Sequence, residues 1–164
     1  MTTKADVIAA IVAVEARVER LAPDILAHAD ARLPEGEWRV REALCHLAAR
    51  SNSVPMARAA VERARTAQAQ GGPALRQGSF DIDEVNRQQI ADRQGRSPRD
   101  LLDEIHQGHQ AEIAAMTAFD PEMLDLRIPS FTGQGDMSVA DLLLLAGPGH
   151  DNAHLDQIEG VLAH

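Results

Sequence analysis

Aliphatic side chains recur at helical spacing through most of this chain, and almost nothing aromatic stands beside them. Ile8, Ile11, Val12, Val18, Leu21 and Ile25 make one stripe; Leu44, Leu47, Ser51 and Val54 make a second. Leu101, Leu102, Ile105, His109, Ile113 and Met116 make a third, and Leu155, Ile158 and Leu162 a fourth. Steps of three and four put such residues on one helix face, which has to be buried against another element. The 164 residues include one Trp, three Phe and no Tyr. The core is therefore aliphatic, which favours helix packing over an aromatic-rich β-sandwich. A chain of this length can bury a sizeable core in one domain. The expected fold is all-α: a four-helix bundle over residues 1–164, with extra short helices in its connections.

Gly, Pro and capping residues divide the pattern. The first helix is expected from about Thr3 to about Asp30, capped by Thr2 or Thr3, with Asp6 in its first turn and a kink or break at Pro23. Pro34-Glu-Gly36 closes it. The second is expected from Trp38 to about Arg65, bent or interrupted at Pro55 and ended by Gln70-Gly-Gly-Pro73, with a loop to about Phe80. A short helix follows from Asp81 to about Arg93, carrying Asn86 in its interior. Ser97-Pro98-Arg99-Asp100 starts a third long helix that runs to about Ala118. Residues 119–136, with Pro121, Pro129 and the Gly133-Gln-Gly135 turn, read as an irregular connection with one short turn near Pro121. Ser138 and Asp141 cap the last helix, which Gly147-Pro148-Gly149 interrupts just before His150.

The formal net charge is −9. That field disfavours nucleic acid and anionic membranes, whose phosphates need a basic surface, so neither is an expected partner. The single cysteine, Cys45, precludes an intramolecular disulfide, suits a reducing compartment and reads as a packing residue rather than a nucleophile. No basic stretch followed by a long apolar run opens the chain, and the longest apolar run, Leu142 to Ala146, is too short for a bilayer. The expected location is cytoplasmic.

Chemistry concentrates in the histidines. His150 and His154 are four apart in what reads as a helix, so both rings project from one face, roughly 5–6 Å apart at Cβ. Two such imidazoles can each give a nitrogen to one transition metal. His46 lies on the second helix among small and apolar neighbours, Ala43 to Ala49. By spacing alone it is either a hydrogen-bonded imidazole at the core edge or a third ligand. In a bundle it could meet the His150/His154 pair. Gln157 follows His154 on nearly the same face, while Glu42 and Arg50 lie one turn either side of His46. Those two either line a pocket or form a solvated flank. His106 and His109, three apart, are a conceivable second pair, but they, His28 and His164 are expected to matter little.

Trp38-Arg-Val-Arg-Glu-Ala-Leu-Cys-His46-Leu-Ala, followed about a hundred residues later by His150-Asp-x-x-His154-Leu-x-Gln157-Ile158, resembles the DinB/YfiT-like superfamily, which includes the N-terminal domains of mycothiol-dependent maleylpyruvate isomerases. The likeness spans nearly the whole chain and is most specific in those two segments. It implies a DinB-type four-helix bundle in which His46, His150 and His154 bind one divalent metal, zinc or nickel. It further implies a metal-dependent enzyme that transfers to, or isomerises, a small-molecule substrate with a low-molecular-weight thiol as cosubstrate. Three imidazoles leave a coordination position free, as catalytic sites do. The alternative is a non-catalytic, metal-binding stress-response bundle. A homodimer is expected, since aliphatic bundles often bury a further face by isologous pairing. The chain departs from the family at Gly147-Pro148-Gly149, where members usually have an unbroken helix.

Overall fold

A computed structural model describes residues 2–34, 37–71, 81–130 and 135–162. The turns expected at residues 34–36, 70–73 and 133–135 fall wholly or partly outside them, as do Phe80 and His164. α1 spans Lys4–Ala27 and starts with a capping box: Thr3 Oγ1 accepts from Asp6 N–H, and Asp6 Oδ2 accepts from Thr3 N–H. Pro23 does not break α1. It stands on the exposed face, where water can serve the carbonyl that loses its N–H partner. Val12, counted in the first stripe, is also exposed; Val7 and Val14 take the buried positions.

The helix expected from Trp38 to Arg65 is two helices, α2 (Val40–Arg50) and α3 (Val54–Ala69), with Pro55 in the first turn of α3. The link at residues 51–53 is folded tightly against α5 (Pro98–Thr117). A Cβ at Gly108 would lie 1.8 Å from Ser51 Oγ, so glycine in the middle of α5 is what lets the link approach. α4 (Ile82–Ala91) lies against α2 and carries no fully buried residue. After α5 comes a single 3₁₀ turn, Pro121–Met123. The connection that read as irregular also contains a small antiparallel hairpin, β1 (Arg127–Pro129) paired with β2 (Asp136–Ser138). Strands of three residues are too short for alternation to declare them.

α6 (Val139–Leu144) is capped by Ser138 as expected. A wide π-type turn, Leu145–Gly149, then leads into α7 (His150–Leu162). Gly147 has φ −99° and ψ −107°, outside the helical region, so the break is real and re-aims the chain just ahead of His150.

α1 packs along α5, α2 packs on α5 and α7, and α1 also meets α6 and α7. The result is an all-α bundle. Its core is divided. One apolar cluster holds Val18, Leu21, Ile25, Leu44, Leu101, Ile105, Leu155 and Ile158. The other holds Val7, Ile11, Val54, Met116, Phe119, Val139 and Leu143. Between them in chain position sit the buried polar residues Ser51, Ser53, His109, Glu112 and Asp151, and Glu15 and His46 are buried within the span of the first cluster. Among the described residues, no helix is long and apolar enough to cross a membrane.

Candidate metal centre

His46 comes from the middle of α2, and His150 and His154 from the first two turns of α7. The packing of α2 on α7 brings the three rings together. Their centroids are 4.7–4.9 Å apart, and one ligating nitrogen from each lies within 4.8 Å of the others. The break at Gly147 does not misplace His150: its Nε2 is 2.9 Å from His46 Nε2. Two nitrogens at roughly 2.0–2.1 Å from one tetrahedral ion stand about 3.3 Å apart, so little movement would be needed.

The orientation of each ring is set from behind. His46 Nδ1 donates to Gln89 Oε1 at 2.8 Å, His154 Nδ1 to Gln157 Oε1 at 2.8 Å, and His150 Nδ1 to Asp151 Oδ1 at 3.1 Å. Each acceptor requires the proton on Nδ1, which leaves the Nε2 lone pair free on all three rings. Burial, together with the neighbouring His150 and His154, pushes His46 down to about 3. Burial also lowers His154, and the hydrogen bond to Gln157 only partly offsets it. Two of the three rings are thus held neutral, the form that binds metal. The donor set therefore fits one divalent ion.

Trp38 walls the cluster, stacked on His154 at 5.8 Å and tilted against His46 at 5.1 Å. An open cleft of about 260 Å³ lies at this wall, lined by Leu33, Glu37, Trp38, His154 and Gln157. Gln157 is thus placed beside His154 and at this cleft. Glu42 does not. Its carboxylate accepts from Arg39 N–H at the start of α2, and it lines a different cleft with Arg39, Arg41 and Cys45. Cys45 is buried, which raises its thiol pKa, in keeping with a packing role. Arg50 is half-buried one turn beyond His46.

His109, expected to matter little, is joined to the centre by hydrogen bonds. A chain of hydrogen bonds leaves the centre through Asp151, whose second oxygen accepts from His109 Nε2 at 3.1 Å. His109 Nδ1 meets Glu15 Oε2 at 2.5 Å, and the other Glu15 oxygen is held by His106 at the surface. Burial alone would lower His109, but its bonds to Asp151 and Glu15 outweigh that and raise it. Burial would likewise raise Asp151, and the bonds from His109 and His150 hold it low. Both nitrogens of His109 thus face carboxylates, an arrangement that favours the imidazolium. His106 and His109 do not act as a metal pair: the former faces Glu15 and Glu19, the latter is sealed in the core. His28 is exposed, with its ring against the Asp24 carbonyl. Gln89, Trp38, Asp151 and Glu15 escaped the sequence reading as functional residues. Asp151, adjoining His150 in the motif, is the one with a signal.

A helical bundle carrying three converged imidazoles defines the class: a bundle with a candidate mononuclear metal centre. The chain belongs to the DinB superfamily, whose sequence profile matches residues 3–158. It is similar in fold to an uncharacterised protein from Clostridium difficile 630, with 10% identity, a TM-score of 0.68, and 98% of this chain and 95% of that one covered. It is also similar to the colibactin self-resistance protein ClbS, solved in complex with double-stranded DNA, with 13% identity, a TM-score of 0.63, and 98% and 96% covered. No curated protein matches the chain.

Proposed function

We propose that this protein is a metal-dependent enzyme of DinB type, in which His46, His150 and His154 hold one divalent ion, zinc or nickel, for transfer to, or isomerisation of, a small molecule by a low-molecular-weight thiol. The observation that carries the reading is that all three Nδ1 atoms are engaged from behind, by Gln89, Asp151 and Gln157, so that three Nε2 lone pairs are available to one point. A divalent ion with only three protein ligands supplies a Lewis acid with an open position, able to lower the pKa of a bound thiol. The chain's own part is to fix the rings and keep His46 neutral. Trp38 covers one side, and the adjoining cleft admits a small molecule rather than a polymer. ClbS was solved with DNA, but a net charge of −9 opposes phosphate binding here, and we assign no nucleic-acid partner. Within the same proposal the chain forms a homodimer. Light scattering at the mass of a single chain at tens of micromolar would remove that part.

Metal content is to be measured on protein purified without a histidine tag, followed by thiol conjugation to a panel of electrophiles. About one ion per chain and thiol turnover that disappears with chelation are expected. Stoichiometric metal without any thiol chemistry would leave the non-catalytic alternative standing. No metal at all would end both readings.

A further inference from the structure

Arg50 is anomalous. It is half-buried, and its Nε–H is sealed from solvent with no hydrogen-bond partner. Among the described residues its guanidinium forms no ion pair. Arg17 and Arg93, also half-buried, hold Asp156 and Glu159, and Glu104, respectively. A guanidinium presents five donors in a planar fork shaped for a carboxylate, and a buried donor left unmade is costly enough to call for an explanation.

Arg50 stands on α2 one turn past His46. It is close enough to oppose protonation of His46 and His154 and to feel the charge of Asp151. Facing α2 is α4, whose inward residues are Val85, Asn86, Gln89 and Ile90. Gln89 meets His46, while Glu42 and Cys45, earlier on α2, share a cleft with Ile90 and Gln94, later in the chain. The two helices therefore run antiparallel, and one turn on from the His46–Gln89 pair the register sets Asn86 beside Arg50. Asn86 Oδ1 is also buried without a partner. A lone buried donor one turn past His46 thus faces a lone buried acceptor on the helix that supports His46 from behind. Asparagine is unfavourable in a helix interior, so its place here needs a reason other than propensity.

We propose that Arg50 and Asn86 form a recognition subsite of the three-histidine centre and that the subsite takes a carboxylate, so that the thiol presented there is an anionic one. This rests on reading the centre as the metal site. Arg50 binds the carboxylate through its fork, and Asn86 Oδ1 accepts a hydrogen bond from an N–H or O–H of the same molecule. Against the negative charge of the whole chain, a local guanidinium is what an anion would require.

Mercaptopropionate and mercaptopropanol, matched in length and differing in charge, are the probes. Their affinities are measured by calorimetry on zinc-loaded wild type, Arg50→Gln and Asn86→Asp. The Arg50 Nε–H resonance, assigned by its loss in Arg50→Gln or Arg50→Lys, is followed in zinc-loaded and metal-free protein. Zinc-loaded wild type should prefer the carboxylate thiol by about tenfold. Arg50→Gln should remove that preference, and Asn86→Asp should reduce it through repulsion. The Nε–H signal should move saturably with mercaptopropionate alone. If Arg50→Gln fails to fold, Asn86→Asp and the wild-type resonance decide. Zinc binding with equal affinity for both thiols and an unmoved Nε–H would overturn the subsite and leave the metal reading intact. Failure to bind zinc, with the Nε–H still shifting, would overturn the metal reading and leave an anion subsite.

Discussion

Two groups of histidines meet at Asp151 and hold their protons in opposite ways. At the candidate metal centre, His46, His150 and His154 face one another with their lone pairs inward, and burial favours neutral His46 and His154. On the far side of Asp151, His109 is as thoroughly buried as His46, yet two carboxylates favour its charged form. Burial disfavours the charged ring in both places, and what decides the outcome is the partner. Amide oxygens behind His46 and His154 select a tautomer without supplying charge, whereas Glu15 and Asp151 supply it. One arrangement leaves bonding capacity unused and is suited to take a cation. The other is already satisfied and joins α1, α5 and α7 across the gap between the two apolar clusters.

The comparison breaks most visibly on removal of a ring. Alanine at His46, His150 or His154 should reduce metal content from about one ion per chain to near none at micromolar metal, while the circular dichroism of the metal-free protein is retained. Full occupancy in His46→Ala would dismiss the third ligand. His109→Gln should do the reverse, taking about 3–5 kcal/mol from stability by leaving Glu15 and Asp151 buried without their cation. Urea unfolding measures it, and a loss below about 1 kcal/mol would mean that His109 is not charged in the core.

Asp151 belongs to both groups, and Asp151→Asn sharpens the contrast. The His150 ring loses the carboxylate that orients it, which should weaken metal binding by roughly 10–100-fold. The same change made on a neutral support, Gln157→Leu behind His154, should cost less, because an amide contributes orientation but no charge. Competition with a chromophoric chelator gives both values. Equal losses would show that charge at Asp151 does not reach the centre.

How much of this was legible in the sequence follows from the range of each interaction. Helices and caps are local: Thr3, Ser97 and Ser138 cap where their side chains and the acidic residue three positions on announce it. His150 and His154 are one turn apart and declare their shared face. His46 could be placed only by adding the family likeness. Pro55 announced an interruption, but the close packing of residues 51–53 on α5 was hidden, because it depends on Gly108, more than fifty positions away, yielding space to Ser51. The carboxylate partners of His109 were hidden for a related reason. Its neighbours in sequence are Gln and Gly, and the carboxylates that charge it come from α1 and α7. Glu42 shows the other side of this: it has the right spacing from His46, but the first turn of α2 claims it.

The smallest expected effect is on the pH dependence of stability, and it should separate the two groups within one titration of metal-free protein. His109 is raised, so its contribution is fully present below the unfolded value near 6.5 and is lost as pH climbs through the folded value above it. His46 and His154 are lowered. Below about 6.5 the unfolded rings take up protons that the folded rings refuse, so stability falls on acidification, and for His46 it continues to fall toward about 3. Asp151 is lowered too; its contribution, present above the unfolded value near 3.9, is lost only at still lower pH. Wild type should therefore be most stable near neutrality, with separate causes for its two limbs. His46→Ala should flatten the acid limb and spare the alkaline one, and His109→Gln should do the opposite. With metal bound, the acid limb should steepen, because protons then compete with the ion for all three rings. Urea unfolding from about pH 5 to about pH 9 resolves the limbs below the range of lysine titration. An alkaline limb that survives in His109→Gln would place the proton on some other group and undo the contrast drawn between the two sets of rings.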